Sequence, residues 1–332
     1  MLKQAKRLAK ALLEQLRRRR SAKAAEQNLR HVSREELVAG LHRLGIAKGD
    51  AVFIHSSLKS LGFVDGGATT VVQALQEAVG PQGTLVLPTY YMPGGSIRAT
   101  CLMEDYVFDV RKHGTNMGRL PEAFLASAGI SRSVHPTHSV SAWGRHAAYL
   151  TEAHHQAPSV FGKGSPWERF VGLENAKVLG LGISMGPVTF YHVLEDAMGE
   201  DFPVPVWGKE RYRLPCIDGT GQRCEVALRP FDPELAQRRI DHRSRADLRA
   251  WFMEEFKRAG LLHEGQVGEA PSWWIPARGF FEHLQRLAGE NLTIYSTPEQ
   301  LAARPPGAAT SAPPGVSSAA RPDGSQVQSA VP

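Results

Sequence analysis

Only three cysteines, Cys101, Cys216 and Cys224, occur in 332 residues. So odd and sparse a set excludes a disulfide framework and points to a reducing, cytoplasmic compartment. No run of about 18 apolar residues exists, which excludes a membrane-spanning helix on hydropathy. The body of the chain also lacks an excess of positive charge. The net charge is +6, but residues 1–30 hold ten Lys/Arg against Glu14 and Glu26, leaving 29 basic and 31 acidic groups elsewhere. A specific nucleic-acid surface on the body is therefore not expected. What remains is the composition of a globular protein, 42% hydrophobic and 22% charged, long enough to bury a full core.

The basic arm carries Leu2, Leu8, Leu12, Leu13 and Leu16 at near-helical spacing. Residues 1–32 are read as a basic helical extension suited to a peripheral membrane or protein contact. Residues 301–332, rich in Pro, Ala and Ser, are read as a disordered tail. Between them, residues 33–300 form one domain in which strand and helix patterns alternate. Ser33 with Glu36 forms a capping box, and Gly45 stops that helix. Ala51 to His55 and Thr84 to Pro88 are short β-rich runs. A helix is expected over about 118–128, a strand near Ser139 to Trp143, a second capping box at Ser165 and Glu168, and a buried strand at Lys177 to Leu181. This order predicts an α/β/α sandwich around a largely parallel central sheet. From about residue 200 an appended α+β portion follows. Its hairpin pairs Arg211 to Ile217 with Gln222 to Leu228 across Asp218-Gly219-Thr220-Gly221, and its helices cover about 241–259 and the Phe280 to Leu287 region.

Four segments carry possible chemistry. His55-Ser56-Ser57-Leu58 followed by Gly66-Gly67-Ala68-Thr69 ends a strand and opens a helix, where free backbone N–H groups can receive a phosphate. Gly182-Ile183-Ser184-Met185-Gly186 matches a nucleophile elbow and makes a serine hydrolase using Ser184 the rival reading. Thr189-Phe190-Tyr191-His192-Val193-Leu194-Glu195-Asp196 starts a helix with Thr189 at the N-cap. It puts His192 and Glu195 on one face, at a strand's carboxyl end where open α/β sheets bind ligands. His135-Pro136-Thr137-His138-Ser139 offers two histidines three apart but no third ligand, so no metal is expected.

Together with PxGTLVLPTY (81–90), FD (108–109), LPEAF (120–124), RSVHPTHSVSAWG (132–144), FGKGSPW (161–167) and KVLGLG (177–182), these segments resemble the aminoglycoside 3-N-acetyltransferase family over about residues 34–290. That acetyl-CoA-dependent fold is separate from the GCN5-related one. The resemblance implies direct acetyl transfer to a primary amine of an aminoglycoside or amino-sugar-like substrate. His192 would be the general base, Glu195 would orient it or hold the acceptor ammonium, and Thr189 would hydrogen-bond the thioester oxygen. Acetyl-CoA would contact Ser56, Ser57, Leu58, Gly66, Gly67, Ala68 and Thr69, with His138 and Ser139 nearby. Asp109 and Glu122 would face the acceptor, with Tyr91 and the loop Tyr90 to Tyr106 setting its specificity. Antibiotic-acting members often read H-x-x-E-H, whereas Asp196 takes the last place here. The resemblance leaves monomer and homodimer open.

Overall fold

The computed structural model describes residues 30–304, 306 and 307. The basic arm, with its expected peripheral contact, and most of the tail lie outside the described residues. A seven-stranded sheet forms the centre, in the order His263–Val267, Ala270–Pro276, Ala176–Leu181, Ala51–Ser56, Thr84–Pro88, Val140–Gly144 and Ser131–Arg132. The three middle strands run parallel, and both wings are antiparallel. The expected parallel character thus holds at the centre of a mixed sheet. The middle strands read as near-continuous apolar runs because both faces are covered.

Alternating side chains sort into two layers. Val52, Ile54, Leu85, Leu87, Leu179 and Leu181 meet the helices Arg34–Leu44, Gly67–Val79 and Arg119–Leu125 in one. Phe53, Val86 and Val178 meet the helices Pro166–Val171, Tyr191–Met198, Ala246–Arg258 and Ala277–Gly289 in the other. Ser33 accepts the Glu36 amide at 3.2 Å, but the Glu36 carboxylate turns to Arg30, so only half of the expected box forms. Ser165 likewise accepts from Glu168, whose own carboxylate takes the Gly164 amide.

The portion after residue 200 is less separate than its sequence suggests. The hairpin forms between Tyr212–Ile217 and Arg223–Leu228, with Asp218 Oδ1 accepting the Thr220 and Gln222 amides at 2.9 Å each. It joins Phe108–Asp109 in a second sheet. The strands His263–Val267 and Ala270–Pro276, by contrast, complete the central sheet itself. The long helix begins at Ala246, not near 241, because the preceding turns give the carbonyls of Ile240 and His242 to the Arg249 guanidinium. The start of the tail is also folded. Pro298–Ala303 is a helix with a full capping box between Thr297 and Gln300, and Arg304 and Gly307 bind the Glu255 carboxylate.

Candidate active site

The carboxyl ends of the parallel strands bring the motif loops together. Gly182, directly after Ala176–Leu181, has φ +68°. A Cβ there would lie 2.7 Å from Ser60 Cβ and 3.3 Å from the Ser57 carbonyl. Glycine is thus required for the 182–190 loop to lie against the 56–61 loop. Trp273 Nε1 donates to the Ile183 carbonyl at 2.9 Å and fastens the loop before the helix Tyr191–Met198. Ser184 is exposed on this loop. Among the described residues the only side-chain hydrogen bond of Ser184 is a 3.5 Å contact from the Gly186 amide. With no histidine hydrogen-bonded to Ser184 among the described residues and no helix opening until Tyr191, the elbow has neither the base nor the geometry of a nucleophile there.

His192 and Glu195 sit one turn apart and face each other. His192 Nδ1 lies 2.8 Å from Glu195 Oε2, and the Tyr295 hydroxyl donates to Glu195 Oε1 at 2.9 Å. Glu195 is fully buried. With both oxygens engaged and no exposure, it faces the imidazole and is closed to an acceptor ammonium. The carboxylate on Nδ1 fixes the tautomer: Nδ1 carries the proton and Nε2 keeps its lone pair. Nε2 has no hydrogen-bond partner among the described residues. The ring is held by Phe161, 5.1 Å between centroids, and Phe231, 4.8 Å. The guanidinium of Arg239 lies over Phe231 and forms a bidentate pair with Asp241.

Thr189 is not the N-cap. Phe190 takes that position without a side-chain bond, and Thr189 Oγ1 accepts from the Tyr90 hydroxyl at 3.0 Å and Trp167 Nε1 at 3.2 Å. Two donors on one hydroxyl leave its own proton to point elsewhere. The Thr189 carbonyl receives the His192 amide, so Thr189 and His192 share one turn. Asp196 accepts the Phe161 amide at 2.7 Å, and burial raises its carboxyl to about 6. It also lines a cavity of about 560 Å³ with Ser159, Phe202, Trp207, Arg211 and Arg229. Trp207 stacks on Phe231, so the cavity adjoins the wall of the His192 ring.

The expected acetyl-CoA contacts divide. Ser56, Ser57 and Leu58 are half-buried on the loop touching Gly182. Gly66 and Gly67 adopt φ +76° and +64° and open the helix Gly67–Val79 with no side-chain cap, so its first-turn amides, with those of Ala68 and Thr69, lack an intrahelical partner. His138 is buried beside the site, its ring 4.5 Å from Tyr90 and 5.3 Å from Phe161. Ser139 is a correction: it is fully buried, and its hydroxyl donates to the Thr89 carbonyl and accepts from Arg132 Nε. It is a structural hydroxyl with no face toward a ligand.

The acceptor residues are also corrected. Asp109 is 4% exposed, and its carboxylate is taken by the Arg111 amide and guanidinium, with Lys112 at 3.4 Å. The Arg111 hydrogen bonds hold it far below the usual carboxylate range, and no oxygen remains for an amine. Glu122 is exposed on Arg119–Leu125, whose Leu120 and Phe124 pack in the layer away from His192. Tyr91 stacks on His113 at 4.6 Å, and Tyr106 is anchored to the Pro136 carbonyl. Glu104 and Asp105 are exposed. Among the described residues no three His, Cys, Asp or Glu are grouped to hold a metal ion. Tyr295, Phe231 and Arg239 carried no local sequence signal, since Phe231 packs on His192, Arg239 lies over Phe231 and Tyr295 bonds Glu195 only through tertiary packing.

Residues 53–288 match the family model described as aminoglycoside 3-N-acetyltransferase. Aminoglycoside N(3)-acetyltransferase III of Serratia marcescens is 34% identical over 255 residues, which cover 74% of this chain and 92% of that protein. Among solved structures, the aminoglycoside acetyltransferase AAC(3)-Xa superposes with a TM-score of 0.66 at 30% identity, covering 79% of this chain and 94% of its own. AAC-IIIb, solved as a binary complex with CoASH, gives 0.65 at 25%, covering 81% and 100%. With its fold, its matched residues and its relatives in agreement, the chain belongs to the aminoglycoside 3-N-acetyltransferase family of N-acetyltransferases.

Proposed function

We propose that the chain transfers an acetyl group from acetyl-CoA directly to a primary amine of an aminoglycoside or amino-sugar-like acceptor, in the cytoplasm. The observation that carries this reading is the His192–Glu195–Tyr295 relay, in which a buried carboxylate on Nδ1 leaves Nε2 as a free base. His192 Nε2 takes the proton of the amine as its nitrogen attacks the thioester carbonyl. The carbonyl electron pair moves onto oxygen, and the Thr189 hydroxyl donates to that oxygen. Collapse restores the carbonyl, breaks the C–S bond and releases the CoA thiolate, which recovers the proton from His192. No acyl-enzyme forms, in keeping with a site whose serine has no base.

Acetyl-CoA fits the residues present. The uncapped first turn at Gly66, Gly67, Ala68 and Thr69 offers amide donors to an anionic group, and Ser56, Ser57 and Leu58 lie between it and the Gly182 loop. The relative solved with CoASH supports the same co-substrate. For the acceptor, Asp196, which lines the cavity beside the Trp207–Phe231 wall of His192, favours a cationic amine when ionised, replacing Asp109 and Glu122 in that role. The test is thiol release from acetyl-CoA with a panel of aminoglycosides and amino sugars. Saturable release with an amine, absent without it, supports the reading; no release across the panel overturns it.

A further inference from the structure

Five residues close a circuit of contacts around the reacting region. His192 packs on Phe161, Phe161 on His138 and His138 on Tyr90. The Tyr90 hydroxyl bonds Thr189, and the Thr189 carbonyl receives the His192 amide. His192, Thr189 and Tyr90 have parts in the arrangement already described. His138 is a second, buried histidine with no task in the transfer derived so far.

Its hydrogen bonds favour one tautomer. His135 Nδ1 accepts the His138 amide at 2.9 Å and the Thr137 amide at 3.3 Å, so that nitrogen is an acceptor already supplied. The Thr137 hydroxyl lies 3.5 Å from it but 2.9 Å from His138 Nδ1. The shorter contact favours donation of the Thr137 proton to His138 Nδ1, which places the imidazole proton of His138 on Nε2. That N–H has no partner among the described residues. It is also not one of the enclosed orphan atoms, which are His55 Nε2, His155 Nδ1 and the Tyr191 hydroxyl. The small exposure left to His138, 6%, is where that donor can meet a ligand. Burial, with His192 and His154 beside it, pushes its basicity down to about 3, so it stays neutral and cannot compete with His192 for the amine proton.

We infer that His138 is a second catalytic histidine, a neutral Nε2–H donor that, together with Thr189, hydrogen-bonds the thioester carbonyl oxygen as negative charge develops on it. The inference rests on the acetyl-transfer reading above. It assigns the two histidines opposite tautomers and opposite tasks: His192 presents a lone pair and His138 presents a proton. A preorganised donor held in a dry aromatic setting acts where charge appears, and removing one such donor in other enzymes lowers kcat by about 10²–10³.

The test compares His138→Phe, which keeps the ring against Tyr90 and Phe161 but removes the donor, with His138→Gln, which restores an N–H. Thiol release is measured at saturating acetyl-CoA and amine on the full chain. His138→Phe is expected to lose about 100-fold in kcat with the KM for acetyl-CoA moved less than threefold, and His138→Gln to recover at least tenfold of that loss. Nitrogen-15 NMR of the wild type, with the His138 resonances assigned by their loss in His138→Phe, is expected to show a neutral imidazole protonated at Nε2 from pH 5 to 8. Wild-type kcat in a folded His138→Phe, an equal loss in both variants, or an Nδ1-protonated ring would each overturn the inference. A wild type that acetylates no amine would instead remove the reading beneath it, so the two failures are distinct.

Discussion

The two faces of the central sheet are built from different chemistry. One is an aliphatic layer, in which Val52, Ile54, Leu75, Leu85, Leu87 and Leu179 pack with Phe124 as the one fully buried ring. The other is aromatic, with Phe53, Phe161, Trp167, Phe170, Phe190, Phe252 and Phe280 buried, and it alone holds His138, His192, Glu195 and Tyr295. Aliphatic side chains fill volume and carry no polar handle. Tyrosine and tryptophan fill volume while offering one O–H or N–H, and here those handles go to working atoms: Tyr295 to Glu195, Tyr90 and Trp167 to Thr189. The aromatic face is thus both core and scaffold of the His192 region, whereas the aliphatic face fastens the sheet and carries the helix Gly67–Val79, whose first turn is proposed for acetyl-CoA.

That division can be broken from either side. The largest effect is expected from Glu195→Gln, which removes the buried charge that stabilises an imidazolium at His192. Its kcat should fall by about 10²–10⁴, the range that general-base catalysis supplies, with acetyl-CoA binding retained in a thermal-shift titration. On the other face, Leu75→Ala should cost about 2–5 kcal/mol of unfolding free energy by denaturant titration, while the folded variant keeps wild-type kcat. A kcat loss there would mean that the two layers are not separable. Tyr295→Phe leaves Glu195 Oε1 without its donor inside the core. It should cost about 1–3 kcal/mol and also lower kcat, joining stability and rate in one residue as no aliphatic-layer change should.

The smallest effect depends on pH. Burial raises the Asp196 carboxyl to about 6, above its unfolded value near 3.9, so the folded state favours the protonated form. The wild type should therefore lose stability relative to Asp196→Asn as pH rises from about 4 to 6. The two should match near pH 3, and the variant should lead by on the order of 2 kcal/mol at pH 7. A difference that does not vary with pH would show that Asp196 is not titrating in the fold.

Much of the aliphatic face was legible in the sequence. AVFIH, TLVLP and KVLGL are short apolar runs bounded by turn residues, and of the helices behind them Arg34–Leu44 carries a Ser33 cap and Gly67–Val79 periodic Val and Leu. The pair His192 and Glu195 was legible too, because i and i+3 on a helix share a face whatever surrounds them. The edge strand His263–Val267 was not: HEGQV is polar, and its place depends on Trp273 and Trp274 pairing with residues some 90 positions earlier. The acceptor acids failed for a related reason. An aspartate at 109 looks available to an amine until Arg111, two residues on, is seen to occupy it. Tyr295 reaches Glu195 across 100 residues, a closure that no local pattern announces.

The central claim is that His192 Nε2, held by Glu195, takes the proton of the acceptor amine. Its most direct test is His192→Ala, assayed for thiol release with a responsive amine alongside acetyl-CoA binding by thermal shift. The account predicts a kcat lowered by about 10²–10⁴ with the acetyl-CoA-induced rise in melting temperature preserved. Wild-type turnover in this variant would contradict it.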